Sequence, residues 1–521
     1  MAWPNPLRKK DQNTRSCWDY TFQWTALHQS AEELHPMKFT YDKLAEECLE
    51  RLNEISALPG NPGCMRQRPG NAPARDLYAL LRDNASEDDE KFGELWRQIS
   101  TVPDWVNWDQ IRRGQDVFYR YGLPALNALN FESLLGGMSS ERVVETLSRT
   151  GGFSTKVARQ RLFETTQYVL QITRSLDSIK PGGDGHAASV RVRFLHAAVR
   201  QRIMKLAQQR PEYYNVEKFG IPINDLDCIA TITAFSTIVI WLGLPRQGLW
   251  LRDQEINDYI ALWRLVAYYQ GTPTEPFATR EKAKAIMESV LLSEVQPTHM
   301  SQVLAKNIIL SLENTFPSHA SREFMEAMAR WLNGKQLSDR LDIGNPPLYY
   351  WALITGYCLW VMAICYISRA IPRFDRRNIE FRRKLYYRLI VTGEKGLGKE
   401  SLFDFKHIPD YNRTTELGES NAFGVKKTGI EMLGYLGLGA AVIVMSLGYG
   451  DLEAIIRDPY QAISSIVVPA LGPIKKIIGA LGINLGPISS TITTWYQSTS
   501  LARYIPAERL FAAYQRIATR D

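Results

Sequence analysis

Residues 187–206 read AASVRVRFLHAAVRQRIMKL, and the order of apolar side chains in this stretch decides the fold class. Val192, Leu195, Val199, Ile203 and Leu206 recur at three- and four-residue steps, the spacing that puts side chains on one face of an α-helix. His196 falls beside that stripe, while Arg191, Arg193, Arg200 and Arg202 fall mostly on other faces. The same period recurs near 109–121, 139–149, 155–174, 224–243, 253–269, 278–291, 297–313 and 320–333, with Gly or Pro between many of the segments. Alternating strand patterns are scarce and no repeat period emerges. The chain is expected to be all-α.

Composition narrows the function classes. Of 521 residues, 45 % are hydrophobic and 22 % charged, which excludes a disordered chain and provides ample core. A net charge of +7 from 62 basic and 55 acidic side chains is too small a surplus to indicate a nucleic-acid partner. Cys17, Cys48, Cys64, Cys228, Cys358 and Cys365 form no CxxC pair and no zinc spacing with histidine, so free thiols in a reducing compartment are expected. Met1 to Arg15 holds no apolar segment, and no cleaved secretory signal is expected. Four regions follow from the pattern: a peripheral N-terminal segment over 1–108, a helical domain over 109–340, an apolar helix with a basic flank over 341–392, and a partly amphipathic C-terminal region over 393–521. Pro59 to Pro73 and the acidic run Asp83 to Glu90 read as solvated connections.

Leu348 to Ser368, LYYWALITGYCLWVMAICYIS, carries no charge and is about long enough to cross a hydrocarbon core of roughly 30 Å. Tyr349, Tyr350 and Trp351 stand at its start, as in an interfacial belt. Arg369, Arg373, Arg376, Arg377, Arg382, Arg383, Lys384 and Arg388 follow, opposed by Asp375 and Glu380, and such a flank is expected on the cytosolic side. Membrane association follows, but a helix lying in the interface satisfies the same letters as one that spans. Met432 to Gly450 and Ala462 to Ser490 are weaker apolar stretches. The sequons Asn84-Ala-Ser86 and Asn412-Arg-Thr414 would report lumenal exposure.

Chemistry has few candidate carriers. A neutral imidazole at His196, beside small Ala197 and Ala198, suits an axial ligand to heme iron. A hydrogen-bonded core histidine has the same signature, and the residues alone leave both readings open. Arg161 and Thr165 are four apart on one helix face, where a guanidinium and a hydroxyl can orient a heme propionate or a substrate polar group. A surface arginine beside a threonine that bonds its own helix backbone fits equally. Gly393 to Glu400 is nearly a phosphate-binding loop, but Glu400 stands where a hydroxyl should hold magnesium.

Six blocks in order carry a resemblance: FYRYGLPALNALNFESLL, VVETLSRTGGF, RQRLFETTQYVLQI, VRVRFLHAAVR, GIPINDLDCIATITAFS and LRDQEINDYIALWRLVAYYQG. Over about 109–271, with a helical tail to about 332, the chain resembles the catalytic domain shared by bacterial rubber oxygenase (latex-clearing protein) and the fungal endoplasmic-reticulum-bound oxygenase of mycophenolic acid biosynthesis. That resemblance implies a globin-like helical core around heme b, with dioxygen as co-substrate and oxidative cleavage of carbon–carbon double bonds or of a prenyl side chain. By motif, His196 corresponds to the proximal iron ligand, and Arg161 and Thr165 to the paired Arg and Thr near the heme. Glu145 falls where the rubber enzymes place an important glutamate. Glu164 stands where they carry a lysine that can close the distal iron position, which puts resting coordination in question.

The combined expectation is a membrane-associated heme b oxygenase of fungal secondary metabolism. It would act on a hydrophobic substrate that is prenylated, isoprenoid or polyketide-like. His196 would ligate iron, Arg161 and Thr165 would position bound groups, and Glu145 or Glu164 would assist proton movement. The expected location is the endoplasmic reticulum, with the domain facing the cytosol and docked by a monotopic helix; any redox partner is unknown. A heme-dependent dehydrogenase or cyclase on the same scaffold, or a non-catalytic heme-binding membrane protein, are the alternatives.

Overall fold

A computed structural model describes residues 11–55, 75–85, 89–403, 409–411, 415–420 and 429–446. Cys64, the Pro59–Pro73 loop, His407, the 412–414 sequon, Ser86 of the other sequon, and the 462–490 stretch lie outside the described residues. The described chain is helical, as expected, apart from an antiparallel hairpin of β1 (Thr14–Cys17) and β2 (Tyr20–Gln23). Trp18 and Asp19 at its tip both have positive φ, the backbone that a tight two-residue hairpin turn requires.

The helices are, in order, α1 (Lys43–Ile55), α2 (Leu77–Asn84), α3 (Glu90–Ser100), α4 (Trp108–Asn127), α5 (Glu141–Thr150), α6 (Thr155–Thr173), α7 (Asp184–Gln209), α8 (Asp225–Phe235), α9 (Asp253–Tyr269), α10 (Arg280–Ser293), α11 (His299–Leu312), α12 (Arg322–Arg340), α13 (Leu348–Ala370), α14 (Pro372–Tyr387) and α15 (Glu431–Ser446). Sequence-local signals set their ends. Asp76, Asp89, Asn107 and Asn224 accept hydrogen bonds from first-turn backbone N–H groups. Gly151, at φ 66°, ends α5 in the left-handed conformation. Two compact units result: residues 1–354 with 361–431, and Thr355–Trp360 with 432–521.

The N-terminal segment is not peripheral. Ala45, Cys48, Leu49 and Leu52 of α1, Tyr78 and Leu81 of α2, and Phe92, Leu95 and Ile99 of α3 form one buried cluster with Ala187, Val190, Phe194, Ala197 and Ala198 of α7. Three short helices thus back the helix that bears His196. Arg193 pairs with Asp42 at 2.5 Å, and Arg200 reaches Glu46 at 3.2 Å. Two of the arginines expected on outer faces therefore fix α7 to this layer, both almost fully buried.

The apolar helix beyond 340 packs on the helical domain. In α13, Leu353, Ile354, Val361 and Cys365 are buried, Tyr366 Oη donates to the Gly248 carbonyl at 3.0 Å, and Arg369 donates to Tyr121 Oη at 3.0 Å and the Trp250 carbonyl at 2.8 Å. The apolar helix is held along its ends by the helical domain, and 44 % of its most apolar window is buried. Asp225–Arg246 is a second helical stretch of comparable length and hydropathy, 61 % buried, as a core helix would be.

The tightest crossing is that of α4 and α9. A Cβ at Gly114 would collide with the Asp258 carbonyl, so the two backbones touch there. Around it Arg113 binds Asp258 at 2.8 and 3.0 Å, and Arg120 reaches Glu255 at 3.1 Å. Because the obstacle is main chain and cannot swing aside, Gly114→Ala is expected to cost roughly 1–3 kcal/mol of stability, measured as a lower denaturation midpoint.

Candidate functional site

Helices α6 and α7 are pinned at one end and form two walls of a cavity toward the other. At the pinned end a Cβ on Gly185 would lie 2.7 Å from the Gln171 carbonyl oxygen, so only glycine permits the approach. One turn further, Tyr168 Oη and Ser189 Oγ share a hydrogen bond at 3.1 Å, and Gln270 Nε2 donates to the same phenol at 2.8 Å. Beyond this clasp Arg161, Leu162, Thr165 and Val169 of α6 face the cavity together with Val192, Leu195 and His196 of α7. The cavity has a volume of about 400 Å³. Leu129, Leu134, Phe153, Ala234, Phe235 and Ile238 supply much of the remaining wall.

Helix α7 contains both kinds of histidine that the sequence left unresolved. His186 is the satisfied core residue: Gly182 N–H donates to Nδ1 at 3.2 Å, and Nε2 bonds the Ile99 carbonyl at 2.9 Å. His196 lines the cavity instead, and its ring has no hydrogen-bond partner among the described residues. Burial, with the charges of Arg200 and Arg161 adding to it, pushes the imidazole down to about 4. It is therefore neutral at physiological pH, with a lone pair to offer.

Arg161 is the second exception to ordinary pairing. Its guanidinium sits against Gly152, whose Cβ would approach Nε to 3.5 Å, and it makes no ion pair or hydrogen bond among the described residues. Desolvation lowers its pKa, offset in part by the charge of Glu164. Thr165 is exposed into the cavity with its hydroxyl unbonded among the described residues. Glu164 also lines the cavity, and its Oε1 accepts from Gln160 at 3.3 Å and from Ser401 Oγ at 3.2 Å. Four of the five anticipated site residues thus converge. Glu145 does not join them: Val143 and Leu147 of α5 face the cavity, while Glu145 binds Arg149 at 2.6 Å, and that guanidinium lies over the rings of Tyr213 and Tyr214.

With this geometry in hand, comparison with known proteins is direct. Residues 122–363 match the family described as ER-bound oxygenase mpaB/B'/Rubber oxygenase, catalytic domain. That segment belongs to this family. The solved structure of latex clearing protein LCP in the closed state is similar over 72 % of this chain and 95 % of that one, with 20 % identity and a TM-score of 0.50, a likeness of fold. No curated protein matches the chain. The match runs past the expected domain end at 340 and takes in most of α13, in keeping with the packing of that helix.

The rubber-oxygenase-type domain has wall residues that no local signal announced. Phe403 reaches the cavity from beyond α14 and packs edge-on against Tyr168 at 6.0 Å. Ser401 is latched to α6 by a reciprocal pair: its N–H donates to Gln167 Oε1 at 2.8 Å, and Gln167 Nε2 donates to its carbonyl at 2.9 Å. The near-phosphate-loop just before it is therefore part of a strap, tied further by Arg159 to the Lys395 carbonyl at 2.7 Å. Elsewhere in the wall Glu132 pairs with Arg246 at 2.8 Å. Burial pushes Glu132 up to about 8 against the pull of Arg246. Glu132 lies in a π-helical segment, Ala128–Leu135, against Gly243 of a second one, Val239–Gly243; such segments recur at functional sites.

These side chains fit a porphyrin better than a bare ion. Among the described residues, no three His, Cys, Asp or Glu side chains gather to hold a metal. A single unbonded imidazole suits a metal already held by a macrocycle, and the unpaired Arg161 suits an anionic substituent on its edge.

The neutral histidines carry a pH signature. His196 and His186 are both held near 4, against an ordinary value of 6.5, so each takes up a proton on unfolding between those limits. The stability they confer is complete above pH 6.5 and drains away as pH falls toward 4. Replacing His196 with Leu should make the stability of the ligand-free protein fall less steeply over that window. An unchanged slope would mean that the ring is solvated.

Proposed function

We propose that this chain is a heme b-dependent oxygenase that oxidises or oxidatively cleaves a hydrophobic substrate of prenylated, isoprenoid or polyketide type. One observation carries the reading: a neutral imidazole and a guanidinium, neither with a hydrogen-bond or ion-pair partner among the described residues, share an apolar cavity wall inside the segment that matches the oxygenase family. His196 would hold the iron, and a bound heme would supply the redox chemistry that lets dioxygen attack a carbon–carbon double bond.

The chain's own groups do the rest. Arg161 would bind a propionate, since its burial makes a charge-assisted hydrogen bond worth more than it would be in water. Thr165 Oγ1, facing the cavity, would orient a polar group beside the reacting carbon. Glu164 would accept or return a proton at its carboxylate, held at the wall by Ser401 and Gln160. The apolar wall would exclude water from reactive species. Glu145, tied to Arg149, has no direct part in this arrangement.

The family's description includes the words ER-bound, and α13 is long and apolar enough to cross a membrane. We place the protein on the cytosolic face of the endoplasmic reticulum, docked by a monotopic surface, where greasy substrates partition. The fit with fungal secondary metabolism rests on the mycophenolic-acid-type resemblance.

Purified full-length protein should show a Soret band, which His196→Ala abolishes. Arg161→Met should keep the band while weakening hemin affinity roughly 10- to 100-fold, the loss of one charge-assisted hydrogen bond. Full heme retention by His196→Ala would refute the ligand assignment. A second reading, a heme carrier without catalysis, draws on Glu164 in place of the family's lysine. Labelled dioxygen appearing in product would exclude it.

A further inference from the structure

Helix α14 has two faces with opposite uses. Its inner face is spent on holding it to the domain. Asp375 accepts two hydrogen bonds from Arg120 Nε, at 3.1 and 3.0 Å, and one from Arg120 Nη2 at 2.8 Å. Arg382 donates to the Tyr119 and Arg120 carbonyls at 2.9 and 2.6 Å, Arg383 pairs with Asp116 at 2.7 Å, and Ile379 is buried. Arg382 and Arg383 of the basic flank, together with Asp375, are therefore internal ties and leave nothing over for a partner.

The outer face is different. Ile367, Ile371, Phe374 and Phe381 are 53, 50, 40 and 60 % exposed. Their steps of four, three and seven residues carry one apolar edge from the end of α13 around the bend at Pro372 and along α14. Arg373, Arg376, Lys384 and Arg388 flank this edge, exposed and without a partner among the described residues; Glu380 is the opposing exposed acid. Aromatic wedges bordered by lysine and arginine on a rigid helix match a bilayer interface, where rings enter the acyl boundary and cations meet phosphate and carboxylate headgroups.

We propose that the outer edge of α13–α14, from Ile367 to Arg388, docks this domain onto an anionic lipid surface with α14 lying in the plane of the headgroups. The proposal rests on the membrane association given above and specifies its surface and lipid class. It assigns α14 the work of a docking helix, held at a fixed angle by Asp375, Arg382 and Arg383, so that the domain meets the bilayer in one orientation.

The test uses full-length protein made in a detergent-free cell-free system and floated with phosphatidylcholine vesicles, with or without phosphatidylserine. Phosphatidylserine should raise the floated fraction about fivefold or more, and high salt should reverse the gain. Phe374→Ser with Phe381→Ser, and separately Arg373→Glu with Arg376→Glu, Lys384→Glu and Arg388→Glu, should each lower the phosphatidylserine-dependent fraction by about tenfold. Unchanged unfolding midpoints and Soret bands would show these variants to be folded, since none touches the inner face. Variants that float like the parent overturn the docking helix while leaving the membrane reading intact. Failure of the parent to float on any vesicle overturns both, and the Soret band then reports separately on the oxygenase reading.

Discussion

The site depends on keeping a charge and a lone pair unsatisfied inside an apolar wall. A guanidinium without a partner beside a mostly apolar cavity is costly, and other arginines of the domain show the usual remedy: Arg142 with Asp227 and Glu294, Arg193 with Asp42, Arg200 with Glu46. Arg161 has no such remedy, and His196 lacks the bonds that His186 makes ten residues earlier on the same helix. Side chains left in this state need a scaffold that cannot relax to satisfy them. The clasp at Gly185, Tyr168, Ser189 and Gln270 holds α6 and α7 at fixed separation, and the α1–α3 layer prevents α7 from yielding outward.

How much of this was legible in the sequence follows from where each signal resides. The helices from 108 to 340 were readable because their apolar periodicity is local and their caps are single residues such as Asn107 and Asn224. Arg161 and Thr165 were readable as a pair because they lie one turn apart, His196 because it sits beside its helix's apolar stripe, and the roles expected of all three came from the family blocks. The α1–α3 layer was taken as peripheral because its helices are short, are broken by a Pro/Gly loop, and bury themselves against a helix about a hundred residues downstream. Glu145 lies away from the cavity for a geometric reason that its sequence position did not show: on α5, the positions two residues either side of it face the cavity, which turns Glu145 itself to the flank.

Helices α13 and α14 show why hydropathy and charge were both partly misleading. A run without charges fits a span and an interfacial helix alike, and the C-terminal end of this one is fastened to the helical domain through Tyr366 and Arg369. A run of arginines reads as a uniform cationic flank, yet Arg382 and Arg383 are turned inward to carbonyls and a carboxylate. Composition counts such residues alike, and only the helical angle separates ties from surface.

The Gln167–Ser401 latch joins residues 234 positions apart, and Phe403 beside it closes part of the chamber. A chain that emerges from the ribosome in order would carry His196, Arg161 and Thr165 long before that last panel exists. Until the strap arrives the chamber lacks the part of its wall that Phe403 supplies. Contacts of such long sequence separation also form late in folding. The wall is thereby completed last, and shortening the protein ahead of residue 401 would leave its interior permanently ajar.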